Sequence, residues 1–224
     1  MLDNKVWIVI PAYNEEQNIS GVISQLKEIT SNIVVVDDCS TDNTAEIVRS
    51  QNINLLQHIV NRGQGAALQT GTEFALGQGA EIIVHFDADR QMQVKDIAKV
   101  IAPIIENNAD IVFGSRFLVK GNNIPWAKKY FILWPAKIFN WLFTGIKLSD
   151  AHCGFRALAK NAAQKISITQ DNMAHATEIL DQVRLHNLKY QEAPVEILYH
   201  EYGQKFASGL RIIRDLVLAK IIKK

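Results

Sequence analysis

Two carboxylates two residues apart, with an amide two residues further on, are the part of this chain best equipped for chemistry: Asp87-Ala88-Asp89-Arg90-Gln91. Hard oxygen donors so placed suit Mg²⁺ or Mn²⁺, which bind through one or two carboxylates and complete their shells with water and substrate phosphates. The same pattern also closes turns and caps helices, so its setting decides its meaning. It directly follows Ile82-Ile83-Val84-His85-Phe86, a short apolar run bounded by Gly77, Gly79 and Arg90-Gln91, which reads as a buried strand. In open α/β sheets, ligands sit just beyond the carboxyl ends of strands. Asp87 and Asp89 are expected at such a place.

The elements around them follow from periodicity. Val6 to Ile10 reads as a first strand closed by Pro11, followed by a helix opened by Asn14-Glu15-Glu16 with apolar positions at Ile19, Val22, Ile23 and Leu26. Ile33 to Val36 is a second strand ending in Asp37-Asp38, then Ser40-Thr41-Asp42 caps a helix over Thr44 to Ser50. A third strand near Ile53 to Gln57 leads through Asn61-Arg62-Gly63-Gln64-Gly65 into a helix from Ala66 to Leu76. After the central strand come a helix from Lys95 to Glu106 and a strand at Ile111 to Phe113. Such alternation predicts an α/β fold with a mainly parallel sheet flanked by helices. Further on, Trp126 to Phe143 reads as a helix interrupted by Pro135, Ala174 to Asn187 as a helix, Tyr190 to Ile197 as a strand and Ser208 to Ile222 as a final helix. One domain, 1–224, is expected, its half 1–118 binding donor and its half 119–224 facing acceptor and membrane.

Four strands thus deliver polar residues to one edge: Tyr13-Asn14-Glu15, Asp37-Asp38, Asn61-Arg62-Gly63 and Asp87-Ala88-Asp89. Together they describe a polar crevice. The Gly63-x-Gly65 pair either lets backbone N–H groups approach a phosphate at a helix N-terminus or simply makes a tight turn. Neither a dinucleotide G-x-G-x-x-G after the first strand nor a Walker lysine motif is present.

Composition excludes other classes. The 224 residues, 48% hydrophobic and 21% charged with 12 glycines and 5 prolines, describe an ordinary globular protein rather than a disordered or collagenous one. Cys39 and Cys153 form no disulfide or metal framework, and the first residues lack the pattern of a signal peptide. No run is long enough for a spanning helix, so the expected location is cytoplasmic. The net charge of +1 conceals an asymmetry: Lys120 to Lys147 holds five lysines and no acid, and Lys205 to Lys224 holds six basic residues and one acid. An acidic body with two basic segments suggests that those segments meet something anionic.

Val9–Glu16, Val35–Thr44, Asn61–Gly65 and Asp87–Gln91 resemble the inverting family 2 glycosyltransferases of the GT-A fold. Gly114-Ser115-Arg116 and Asp150-Ala151-His152-Cys153-Gly154-Phe155-Arg156 narrow the resemblance to the branch of dolichol-phosphate mannose synthases and polyprenyl-phosphate glucosyltransferases. The resemblance implies a nucleotide-sugar donor, a divalent metal (Mg²⁺ or Mn²⁺) and inversion at the anomeric carbon. It places Pro11, Tyr13 and Glu15 on the nucleoside, Asp38 near the base or ribose, Gly63, Asp87 and Ala88 along the donor, and Asp87, Asp89 and Gln91 around the metal. Arg116 would reach a phosphate. The leaving nucleoside diphosphate develops negative charge, which a metal and an arginine offset without proton transfer.

For the acceptor two chemistries remain open. A polyprenyl phosphate is already anionic near neutral pH and needs no base; Arg116, Arg156, Lys128, Lys129 and Lys205 are candidates to hold it. A saccharide hydroxyl needs a base within hydrogen-bond reach, for which Asp150 is the candidate; it reads equally as a carboxylate orienting Arg156. The family's usual arginine and Ser-Lys pair after the last strand are replaced here by His200-Glu201-Tyr202-Gly203-Gln204-Lys205-Phe206. Trp126, Trp134, Trp141, Tyr130, Phe131, Phe139 and Phe143, interleaved with lysines, suit a helix in the membrane interface, as does the amphipathic C-terminal segment. The competing reading is an apolar face packed on the domain, a membrane-protein partner or a second copy in a homo-oligomer. No nucleic-acid partner is expected. Among the histidines, His85 is expected to be a core residue and His152 lies in the acceptor motif.

Overall fold

Apolar runs too short for helices become strands here. They are β1 (Val6–Ala12), β2 (Ile33–Asp37), β3 (Asn54–Gln57), β4 (Ile82–His85), β5 (Ile111–Ser115), β6 (Arg156–Ala159) and β7 (Tyr190–Pro194). The computed structural model describes residues 2, 5–119, 145–150, 153–171 and 174–198. The helices expected at Trp126–Phe143 and Ser208–Ile222, together with Lys128, Lys129, Lys205, His152 and His200, lie outside the described residues.

The seven strands form one sheet in the order β3-β2-β1-β4-β6-β5-β7. β1 runs parallel to both β2 and β4, β2 to β3, and β5 to β7; β6 alone is antiparallel, to β4 on one side and β5 on the other. Every strand except β6 therefore ends at the same edge, where β6 begins.

Helices α1 (Ile19–Lys27), α2 (Thr44–Ser50) and α4 (Ile97–Ile105) cover one face. Their Ile19, Val22, Ile23, Val48, Ile97 and Val100 pack on Ile8, Ile10, Val35, Val84, Val112 and Ala157. Helices α3 (Gln64–Gly77), α5 (Lys160–Lys165) and α6 (His175–Leu185) cover the other, with Ala67, Leu68, Ala162, Ile179 and Leu180 against Val9, Val34, Ile83, Ile111 and Leu158. Burial on both faces explains why β1, β2 and β4 read as unbroken apolar runs rather than alternating ones. Each buried valine, leucine or isoleucine among them contributes about 1.5–3 kcal/mol by leaving water, and each alanine less.

Three local differences from expectation have physical causes. The first helix starts at Ile19 rather than at Asn14, because Asn14 turns the chain with φ 55° and Glu15 accepts the amides of Asn18 and Ile19 in a preceding turn. Pro11 sits within β1, yet the pairing of β1 with β4 stops at Val9↔His85, so its missing N–H removes nothing from that ladder. Strand β6 and helix α5 were not anticipated. Phe155-Arg156-Ala157-Leu158-Ala159 is short and interrupted by a charge, so no period marks it, and only its two neighbours make it a strand.

Candidate active site

The shared edge of the sheet is braced by the polar residues that follow its strands. The loop after β1 hangs on the loop after β2: Asn14 N–H donates to Ser40 Oγ (2.9 Å), Glu15 N–H to Thr44 Oγ1 (2.8 Å) and Glu16 N–H to Asp42 Oδ2 (3.2 Å). In return Thr41 N–H donates to Asn14 Oδ1 (2.9 Å) and Asn43 N–H to Glu16 Oε2 (3.1 Å). Asn14, Cys39 and Arg90, each just past a strand, all adopt left-handed backbone. Such turns hold loop residues in one place, as a binding edge requires.

Tyr13 stands 48% exposed at the rim. Glu15 is half-buried; burial raises its pKa most, the Asn18 amide opposes this, and the charges of Asp89 and Asp42 add to the rise. Its coupling to Asp89 shows that the ends of β1 and β4 converge.

Asp87 accepts a hydrogen bond from Gln64 Nε2 (2.9 Å), and Asp89 Oδ1 accepts the Gln91 backbone N–H (3.0 Å). Burial first, and then the charge of Asp89, push the Asp87 carboxyl up to about 7; the nearby Arg156 charge opposes without winning. Two like charges held together in partial burial are what a divalent cation relieves. Among the described residues no three His, Cys, Asp or Glu gather to hold an ion alone. Mg²⁺ and Mn²⁺ take one or two carboxylates and leave the rest of the shell to water and diphosphate.

Beyond β5, Arg116 makes a bidentate pair with Asp150: Nε to Oδ2 at 2.5 Å and Nη2 to Oδ1 at 2.7 Å, with its own backbone N–H also on Oδ2 at 3.2 Å. Asp150 is 2% exposed. Glu192 of β7 fixes the Asp150 segment in turn, accepting Ser149 N–H (2.8 Å), Ser149 Oγ (2.6 Å) and Asp150 N–H (3.2 Å). Cys153 lies between the two carboxylate regions and senses Asp150, Arg116 and Asp87, but burial drives its thiol up to about 12, which makes it unreactive at neutral pH.

Residues 7–167 match the family model described as glycosyl transferase family 2. The chain belongs to that family. This glycosyltransferase is 34% identical over 249 residues to the UDP-N-acetylglucosamine–dolichyl-phosphate N-acetylglucosaminyltransferase of Methanococcus voltae, covering 100% of this chain and 99% of that one. It is 24% identical to the undecaprenyl-phosphate mannosyltransferase of Micrococcus luteus, covering 92% of this chain and 88% of that protein. Among solved structures it is similar to glucosyl-3-phosphoglycerate synthase of Mycobacterium tuberculosis in complex with Mn²⁺ and UDP-glucose, with a TM-score of 0.74 and 16% identity over 96% of this chain and 77% of that one. The fold is GT-A, as the motifs imply.

At several residues of the motifs the structure shows local bonds and burial that the motifs do not display. Gly63 and Gly65 offer no ready phosphate cradle. Gly63 N–H donates to Asp38 Oδ2 (2.6 Å) and Gly65 N–H to the Asp171 carbonyl (2.8 Å). Gly63 is there for its φ of 94°, which turns the chain into α3. Asp38, expected beside the base or ribose, is 3% exposed and clamps the following loop, also accepting Arg62 N–H (2.9 Å) and bonding His58 Nδ1 (2.7 Å). Ala88 is 3% exposed with its methyl in the core, so only its backbone faces the edge.

Arg156, expected at the acceptor, is 2% exposed inside β6; Nη2 donates to the Cys153 carbonyl (3.2 Å), and Nε and Nη1 have no hydrogen-bond partner among the described residues. Nor does Asp150 orient Arg156, as one reading of the sequence had it; it holds Arg116. His85 is a core residue bonded through Nε2 to Thr72 Oγ1 (3.0 Å), and burial lowers its pKa well below the usual value. Sequence reasoning missed Ser149 and Glu192. An isolated glutamate in an edge strand carries no signal until its partners are known. A recess of about 340 Å³ near Ile146, Val183, Arg184, Leu188 and Tyr190 contains none of these groups.

Proposed function

We propose that this glycosyltransferase moves a hexose-type sugar from a nucleotide diphosphate donor to a polyprenyl phosphate, with Mg²⁺ or Mn²⁺ held by Asp87, Asp89 and Gln91. The observation that carries the choice of acceptor is the Arg116–Asp150 pair. A carboxylate that accepts three hydrogen bonds from one arginine is poorly placed to take a proton from an acceptor hydroxyl. An acceptor phosphate arrives already ionised and asks for no base. The acceptors named for the Methanococcus voltae and Micrococcus luteus relatives, dolichyl phosphate and undecaprenyl phosphate, support the same choice.

In this reading Tyr13 and Glu15 border the nucleoside and the braced loops after β1 and β2 fix its position. Arg116, prevented from swinging by Asp150, presents its charge to phosphate at the reacting centre. The metal, when bound, offsets the charge that builds on the departing nucleoside diphosphate. Asp87 and Asp89 orient that charge, and the buried floor beneath them limits access of water, so the attacking oxygen is that of the acceptor.

No helix among the described residues is long and apolar enough to cross a membrane. Peripheral attachment at the cytoplasmic face rests on the basic aromatic stretch 126–143 and the basic end from Lys205. Each basic residue near an anionic leaflet contributes roughly 1 kcal/mol. Flotation with anionic liposomes is expected to carry the protein upward in a salt-sensitive way; absence of binding sinks that attachment. The acceptor is decided by incubating UDP- and GDP-sugars, UDP-N-acetylglucosamine included, with a short polyprenyl phosphate and Mg²⁺ or Mn²⁺. A lipid-linked sugar is the expected product. Transfer only to saccharide hydroxyls overturns the reading.

A further inference from the structure

Strand β6 meets β4 with Arg156 opposite His85. Continued one step towards the shared edge, that register sets Phe155 opposite Phe86; their rings make an edge-to-face contact with centroids 5.4 Å apart. One further step sets Gly154 opposite Asp87. There a Cβ on Gly154 would lie 2.6 Å from Asp87 Oδ2 and 3.3 Å from its Cγ and Oδ1. The carboxylate occupies the place of the missing side chain, while Gln64 Nε2 holds Oδ1 from the start of α3. Arg156, two residues along on the same face as Gly154, brings its buried positive charge beneath the pair.

We infer that Gly154 is a positioning residue, which with Gln64 holds the Asp87 carboxylate in the one orientation that accepts a divalent cation. The inference rests on the reading of Asp87 and Asp89 as metal ligands and goes beyond it, because Gly154 has no side chain to ligate a metal and acts through the Asp87 carboxylate. The atom displaced by a Cβ is the end of a short side chain, so the fold adjusts cheaply while the carboxylate turns away. Stability and metal affinity should therefore separate. Groups that orient a metal ligand typically account for roughly 10–100-fold in affinity.

The experiment titrates Mn²⁺ into the full chain with UDP or GDP present, following free Mn²⁺ by electron paramagnetic resonance. Nucleotide binding in EDTA and thermal melting are measured in parallel. Gly154→Ala is expected to weaken Mn²⁺ binding roughly 10–100-fold, with nucleotide affinity in EDTA and melting temperature close to those of the unaltered protein. Unchanged Mn²⁺ affinity in a folded Gly154→Ala protein overturns the inference. Should that variant fail to fold, Gln64→Leu decides: weakened Mn²⁺ binding supports the mount and unchanged binding overturns it. Asp89→Ala is the separate control, since Mn²⁺ binding that survives it removes the metal site itself rather than its mount.

Discussion

Asp87 and Asp150 stand at the same edge of one sheet and are treated in opposite ways. Asp150 is almost wholly covered, paired twice over with Arg116, and its segment is pinned by Glu192. Asp87 has a like charge for a neighbour, a neutral amide for a hydrogen-bond donor, and a carboxyl pushed up to about 7 by burial and by Asp89. The first carboxylate has its cation built in. The second has only the buried Arg156 charge nearby, without a bidentate pair, and in the proposed function it takes a cation from outside. Two chemically identical side chains are thus set apart by their partners alone: one fixes an arginine, and the other, in the proposed function, holds a metal and its diphosphate.

Breaking the open side of the comparison should cost most. Asp89→Ala removes a metal ligand and is expected to lower transfer roughly 10³-fold, the upper range for loss of one group that stabilises developing charge; a sugar-transfer assay near wild-type rate would refute the metal role. On the closed side, Asp150→Asn keeps the shape but weakens the grip on Arg116. A roughly 100-fold fall in kcat follows from the sensitivity of reacting centres to small displacements, with Mn²⁺ affinity unchanged. If Asp150 were instead the base, raising the pH would restore much of the rate; no such recovery is expected. One step further from the chemistry, Glu192→Gln weakens charge-assisted hydrogen bonds of about 1.5–3 kcal/mol. Its kcat should fall by about tenfold, and a wild-type kcat would show that Ser149 alone secures the loop.

The smallest effect separates the two carboxylates without any substrate. In metal-free protein Asp87 keeps a proton up to about pH 7, whereas in the unfolded chain it loses it near the ordinary 3.8. Between those values the folded state binds the extra proton, so this group's contribution to stability declines as pH rises from 4 to 7 and then levels off. Thermal melts in EDTA should show that decline, and Asp87→Asn should flatten it. Equal slopes in the two proteins would mean that the carboxylate is not strained.

The strands and polar ends beneath the proposed donor site were legible in the sequence because they are written in contiguous motifs. The runs at Val6, Ile33 and Ile82 each end in polar residues, and the helix over Thr44–Ser50 falls where its pattern places it. The other side was not legible, because its meaning lies in pairs far apart in the chain. Arg116 and Asp150 are 34 residues apart, and Asp150 and Glu192 are 42 apart. The burial of Arg156 was not legible for a related reason: a charged residue in a motif reads as surface chemistry unless the strand that buries it is seen. Asp38 and Gly63 read as separate ligand groups in the sequence, and only the structure shows the hydrogen bond that ties one to the other.

The antiparallel course of β6 also bears on how the molecule comes into being. β5 has no direct partner in β4; it joins the sheet through β6, and β7 in turn adds to the outer side of β5. A nascent chain that has emerged as far as β5 therefore carries one strand with nowhere to dock. Residues Arg156–Ala159 must then slip between two strands translated long before them, the kind of distant pairing that slows folding. Gly154 comes opposite Asp87 only when that insertion is complete. If Gly154 mounts Asp87 as proposed, competence for a metal is accordingly among the last properties the growing chain acquires, and a truncated product with all its aspartates through Asp89 is expected to lack it.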